Sequence, residues 1–182
     1  MDKSMRIRYF RPGDISTIIS IRQASAIADR IPAMSEEAFI AWFLDPDREA
    51  QANAFVMTDD DDELLTWGQA GTLEGIEGEI VGYTILECLR DAEGYHLRCR
   101  GAVHPEHRCR GAGRALLAGA LNRARLLASD FEFEAEAEGV PIYFEAFLPA
   151  ADPASSHLAV KCDLEAVQQF NSDGLQLYRM KI

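Results

Sequence analysis

The chain has 182 residues, 30 of them acidic against 18 Lys and Arg, for a formal net charge of -12. That length, at 48% hydrophobic, suits one buried core over residues 1–182, and the acidic balance argues against nonspecific nucleic-acid binding, which needs a basic face. No apolar run approaches the roughly 18 residues of a membrane span, and Cys88, Cys99, Cys109 and Cys162 show neither a C-x-x-C pair nor zinc-ligand spacing.

The expectation is therefore a cytoplasmic protein with free thiols, no metal, no membrane and no nucleic-acid partner. Taken in order, Arg6 to Arg11 alternate as a first strand. Pro12-Gly13-Asp14 turns the chain, and Asp14 can cap a helix whose apolar positions are Ile15, Ile18, Ile19, Ile21, Ala24 and Ala28. Ser35 opens a second helix carrying Phe39, Trp42 and Phe43, and Asp45-Pro46 closes it. Ala54 to Thr58 reads as a buried strand, Asp59 to Glu63 as a solvated hairpin loop, and residues 64–78, with their glycines, as irregular.

Glu79 to Arg90 is a strong strand, turned by Ala92-Glu93-Gly94 into another from Tyr95 to Val103. A helix over residues 112–128 lays Leu116, Leu117, Ala120, Leu121, Ala124 and Leu127 along one stripe. Asp130 to Gly139 is acidic, with no element assigned. Pro141 to Leu148 is an aromatic-rich strand, Pro149 to Ser156 a loop, and Asp163 caps a helix through Phe170. Leu175 to Ile182 ends the chain as a strand. The order β-α-α-β-β-β-α-β-α-β implies an α+β fold on a mixed, mostly antiparallel sheet flanked by helices.

The segment from Val103 to Leu117 carries the chemistry. A strand runs through His104-Pro105 into a loop with Arg108, Arg110, Gly111, Gly113 and Arg114, which opens an apolar helix. Glycines admit a ligand close to the backbone, and the unpaired N–H groups of a helix start attract anions. The arginines suit phosphate oxygens, so the segment reads as a pyrophosphate cradle. It is neither a G-x-x-x-x-G-K-[ST] loop nor a complete dinucleotide fingerprint.

Arg108-Cys-Arg-Gly111-Ala-Gly113 meets [QR]-x-x-G-x-[GA] in full and thereby resembles the coenzyme A loop of the GNAT (GCN5-related N-acetyltransferase) superfamily. Ile7-Arg8 with Asp14, Ile80-Val81-Gly82-Tyr83 and Val103-His104-Pro105 extend the likeness over nearly the whole chain. The resemblance implies the GNAT fold and direct acetyl transfer from acetyl-CoA to an amine, the acceptor being a small molecule or a peptide. It places the pantetheine arm on backbone groups of Gly101, Ala102 and Val103, with the Val103 N–H on the thioester oxygen. The pyrophosphate falls to Arg108, Cys109, Arg110, Gly111, Ala112, Gly113 and Arg114. Two parallel strands, 95–103 and 141–148, would splay apart to expose the thioester. Acidic loops favour a cationic acceptor, and the family's habit of pairing suggests a homodimer.

Acid and base are less clearly marked. The family's last helix carries N-x-x-A-x-x-x-Y-x-x-x-G-[FY], and here Ala166 and Gly174 match while Phe170 stands at the tyrosine. Tyr143 or Tyr178 is then the proton donor to consider, with Glu87 and Glu145 as strand carboxylates and His96 and His104 as further candidates. Only residues 175–182 follow Gly174, short for two closing strands. Phe170 and that short tail support an alternative: a catalytically silent module binding acyl-CoA or a protein partner, or the first half of a tandem protein.

Overall fold

The computed structural model describes residues 4–60, 78–170 and 173–182. The irregular stretch expected over 64–78 lies, but for Gly78, outside them. Seven strands form one sheet, in the order β1-β2-β3-β4-β5-β7-β6. They are β1 (Ser4–Tyr9), β2 (Ala54–Asp60), β3 (Glu79–Asp91), β4 (Gly94–Val103), β5 (Ile142–Pro149), β6 (Glu165–Phe170) and β7 (Leu175–Lys181). All neighbours are antiparallel except β4 and β5. The parallel pair needs a crossover, which α3 (Ala112–Glu138) supplies; the other α-helices among the described residues are α1 (Ile15–Asp29), α2 (Glu36–Phe43) and α4 (Pro153–Lys161).

Helices cover both faces. On one, Ile18 and Ile21 of α1 and Phe39 and Phe43 of α2 bury against Val56, Tyr83 and Ile85. On the other, Leu117, Leu121 and Ala124 of α3 and Ala159 of α4 bury against Leu86, Leu97, Phe144 and Ala146. β3 sits between the layers, and a bulge there changes its register from Met57↔Gly82 to Thr58↔Ile80. The extra residue, Val81, turns its side chain into the α3 layer with Leu116.

Four elements depart from the sequence expectation. The charge run begins inside β2, where Asp59 is buried rather than solvated. α3 runs ten residues further than residue 128, because Phe131 stacks on Tyr95 at 5.2 Å and Ala135 is buried one turn on. It stops where Gly139 takes φ 68, ahead of Pro141. The segment read as a loop, Pro149 to Ser156, contains the first turn of α4, whose start is Asp152-Pro153, with the Asp152 carboxylate accepting from the Ala154 amide at 2.9 Å. The expected helix from Asp163 is instead β6. Asp163 sits just past α4 with φ 59, ending a helix rather than starting one. Both closing strands, β6 and β7, are therefore present.

Candidate active site

The proposed cradle joins β4 to α3. Pro105–His107 form a 3-10 turn capped by His104, whose Nδ1 accepts from the Glu106 amide at 3.4 Å. Cys109 and Gly111 then adopt φ of 62 and 92, left-handed geometry that favours glycine and here bends the chain into α3. The first main-chain bond of α3 runs from the Ala115 amide to the Gly111 carbonyl at 3.0 Å, and no side chain caps the helix. The amides of Ala112, Gly113 and Arg114 are thus open donors at the positive end of a 27-residue helix. A Cβ on Gly111 would meet nothing within 4 Å, so the space in front of the loop is clear.

The arginines divide their work. Arg108 does not reach forward as the sequence suggested. Its guanidinium turns to α1, donating to Asp29 Oδ1 at 2.6 Å, Asp29 Oδ2 at 2.8 Å and Ser25 Oγ at 2.6 Å. Its Nε donates to the Val103 carbonyl at 3.2 Å, so one side chain pins the loop to both β4 and α1. The Asp29 hydrogen bonds raise Arg108 above the ordinary guanidinium value. Forward positive charge comes from Arg110 and Arg114, both exposed. Arg110 lies 4.0 Å from the buried Asp59 carboxylate, which places the end of β2 beside the cradle.

The cradle leads directly to an open strand edge. β4 and β5 pair from Tyr95↔Ile142 to Cys99↔Ala146 and no further. β4 remains paired with β3 out to Gly82↔Val103. The His104 amide donates to the Val81 carbonyl at 2.8 Å. By the alternation of an antiparallel ladder, the main-chain groups of Val103 and Gly101 then point away from β3, into the gap. Close approach fixes the residue at 101: a Cβ there would lie 2.4 Å from the Tyr83 carbonyl oxygen. At Gly82 a Cβ would meet Leu116 at 2.9 Å, which accounts for the glycine of Ile80-Val-Gly-Tyr.

The candidate acid and base groups lie beside this gap in unequal states. Glu87, Arg98, Glu145 and Tyr143 share the face covered by α1 and α2, Glu87 facing Arg98 across the ladder. Glu145 is 1% exposed and fully engaged. Its Oε1 meets His96 Nδ1 at 2.9 Å and Arg179 at 3.1 Å, and its Oε2 accepts from Arg98 Nε and NH2 at 3.2 and 3.1 Å. His96 also faces Asp91 at 3.1 Å, so its ring spans two carboxylates. Tyr143 lies under the Arg179 guanidinium at 4.5 Å, opposite His96 and away from the cradle. Glu87, also buried, uses Oε1 to receive Arg48. Tyr178 pairs with Ala146 at the last β4–β5 rung but belongs to the opposite, α3–α4 layer. His104 is a cap at the strand end.

The tyrosine pattern of the last helix also moves. Residues 163–175 cover β6 and the approach to β7, not a helix. Laid on α4, the pattern runs from Asp152 through Ser155 and Ala159 to Asp163-Leu164, and Asp163 has the left-handed φ of the pattern's glycine. The tyrosine place is then Ala159, fully buried and without a proton to give. Sequence reading also missed Ser25, Asp29, Arg48 and Arg179, whose partners lie far along the chain; no local spacing marks them.

An acetyltransferase (GNAT) domain family matches residues 52–149, more than half of the chain. The chain belongs to the GNAT acetyltransferase family. The match runs from just before β2 to the end of β5, and so includes the cradle and the splayed pair. No curated protein matches by sequence. Solved structures show the same fold. A GNAT superfamily phosphinothricin acetyltransferase from Sinorhizobium meliloti, in complex with acetyl-CoA, is 16% identical with a TM-score of 0.61, over 100% of this chain and 89% of that one. The ribosomal-protein-S18-alanine N-acetyltransferase from Escherichia coli is 16% identical with a TM-score of 0.59, over 98% and 94%. A ribosomal-protein-alanine N-acetyltransferase from Brucella melitensis is 20% identical with a TM-score of 0.58, over 97% and 98%. Among the described residues, this GNAT domain has no cluster of metal-ligating side chains and no helix long and apolar enough to cross a membrane.

Proposed function

We propose that this domain transfers the acetyl group of acetyl-CoA directly to an amine, with no covalent enzyme intermediate. The observation that carries the reading is the continuity of two sites: the open β4 edge beyond Cys99 runs straight into the uncapped start of α3. Main-chain groups of Gly101 and Val103 would hold the pantetheine arm and the thioester, while those of the expected Ala102 turn toward β3. The pyrophosphate would sit on the amides of Cys109 to Arg114, with Arg110 and Arg114 beside it and Arg108 fixing the loop from behind. Acetyl-CoA supplies the activated acyl group. The protein supplies proximity between thioester and amine, which by itself accounts for much of such a rate.

Of the candidate carboxylates, Glu87 is the one whose second oxygen meets no donor among the described residues, so it is best placed to take a proton from the amine. Tyr143 and Glu145 fit a positioning role, since Arg179 and the Glu145 ion pairs immobilise them. Calorimetric titration with acetyl-CoA and with CoA tests the reading. Micromolar affinity, about -8 kcal/mol, is expected for the wild type. Gly111→Asp should abolish it, because the added charge repels pyrophosphate, while the fold survives a backbone cost of about 1–2 kcal/mol for a side chain at φ 92. Binding by the variant at the wild-type level would move the site elsewhere. No binding by the wild type would favour the silent module.

A further inference from the structure

The α1–α2 face of the splay gathers four guanidiniums, of Arg48, Arg98, Arg100 and Arg179, around two buried carboxylates, Glu87 and Glu145, with Asp45, Asp91 and Glu93 on the rim. Three of the four have partners. Arg48 pairs with Glu87 and, on the rim, with Asp45. Arg98 and Arg179 pair with Glu145, and Arg179 also lies 3.8 Å from the rim residue Glu93.

Arg100 is different. Among the described residues it has neither an ion pair nor a side-chain hydrogen bond, and it is exposed. It is the first residue of β4 beyond the last rung shared with β5, and it faces Ile85 on the α1–α2 side. Its guanidinium lies over the Phe147 ring at 5.4 Å, where Arg98 also packs at 5.3 Å, so the head is held at the mouth of the gap. Loss of hydration and the nearby charges of Arg98 and Arg48 push it below the ordinary guanidinium value, against the pull of Glu87. An oxyanion would relieve that repulsion and supply the missing hydrogen-bond acceptors.

We propose that Arg100 is the anion-binding position of the acceptor subsite, and that the acceptor carries a carboxylate or similar oxyanion beside its amine. The inference rests on the acetyl-transfer reading above. In this arrangement the oxyanion lies on Arg100, the amine points toward Glu87 and the thioester, and Phe147 keeps the guanidinium in place. On this proposal the acceptor is zwitterionic, its amine consistent with the cationic group that the acidic loops favour.

The test follows CoA release, with acetyl-CoA saturating, for the 20 proteinogenic L-amino acids beside their carboxamides and for matched 1-aminoalkyl phosphonates. At least one amino acid should exceed its carboxamide by about tenfold or more in kcat/KM, the scale of a hydrogen bond to a charged group. In Arg100→Gln that preference should collapse toward unity, and Arg100→Lys should restore part of it. Preference for the phosphonates would identify a phosphonate-type acceptor and leave the subsite intact. Turnover of carboxamides at the level of the acids, absence of turnover with every acid-bearing amine, or an unchanged preference in Arg100→Gln would overturn the assignment. Acetyl-CoA titration of the same wild-type sample separates the failures. Absence of binding removes the acetyl-transfer reading and this proposal together, whereas binding without acid preference removes the anion subsite alone.

Discussion

Asp14 shows how one residue can organise a chain entry. Its carboxylate accepts from Arg8 at 2.7 and 2.9 Å and from the Arg11 amide at 2.7 Å, tying β1 to the turn before α1. Burial would raise its pKa, but the Arg8 and Arg11 bonds outweigh that and hold it below the ordinary 3.8. A depressed carboxyl contributes stability above its unfolded value and loses it as pH falls through the folded one. Asp14→Asn should therefore cost about 1.5–3 kcal/mol at neutral pH. Its deficit relative to wild type should shrink as pH drops below 3.8. Urea denaturation across pH checks this, and a pH-independent deficit would mean that packing, not charge, explains the pair. In the sequence Arg8 and Asp14 stand out only as part of the family's opening pattern, with Asp14 expected to cap α1; the structure gives Asp14 no such cap bond and pairs it with Arg8, while the equally tight Arg108–Asp29 pair, 79 residues apart, has no motif to mark it.

At the scale of elements, Glu145 ties β4, β5 and β7 together through Arg98, His96 and Arg179. Neutralising it leaves two half-buried guanidiniums without their carboxylate, so Glu145→Gln should destabilise by about 3 kcal/mol, the low end for a broken buried pair. Glu87→Gln keeps an acceptor for Arg48 and should lower kcat with little change in melting temperature. Thermal denaturation and turnover of the two variants, measured side by side, separate a fastening residue from a base; equal losses in both readouts would undo the distinction. The helices teach a related point. Asp152-Pro153, expected within a loop, starts a helix with proline pre-set at the opening position, whereas Asp163, expected to start one, ends it. The acidic tail of α3 has poor charge placement for a helix end, and packing of Phe131 and Ala135, with Arg90 paired to Glu138, overrides it.

For the molecule as a whole, a binding site that exists only in the native state links ligand to stability. Acetyl-CoA at a hundred times its Kd should stabilise by about 2.7 kcal/mol, a rise in melting temperature of about 5–10 °C for a domain of this size. Gly111→Asp should show no rise. A rise of equal size in both proteins would place the ligand outside the cradle. The net charge of -12 belongs to the surface at large and does not describe the cleft, where guanidiniums and carboxylates interleave and Arg100 alone of the four arginines lacks an ion pair among the described residues. Average charge predicts solubility and long-range repulsion, but recognition follows the local field.

The sequence by itself determined the family and the succession of strands through β5, because the motifs and periodicities that mark them lie within single elements or short loops, and the proposed cradle from Arg108 to Arg114 rests on adjacent residues in the same way. Only the tertiary structure decided that Arg108 faces α1 instead of the ligand, that Glu145 is saturated and Arg100 is not, and that the chain closes with β6 and β7. Those outcomes turn on which charges meet across the sheet. Contacts between residues many positions apart leave no spacing in the chain from which they could be read.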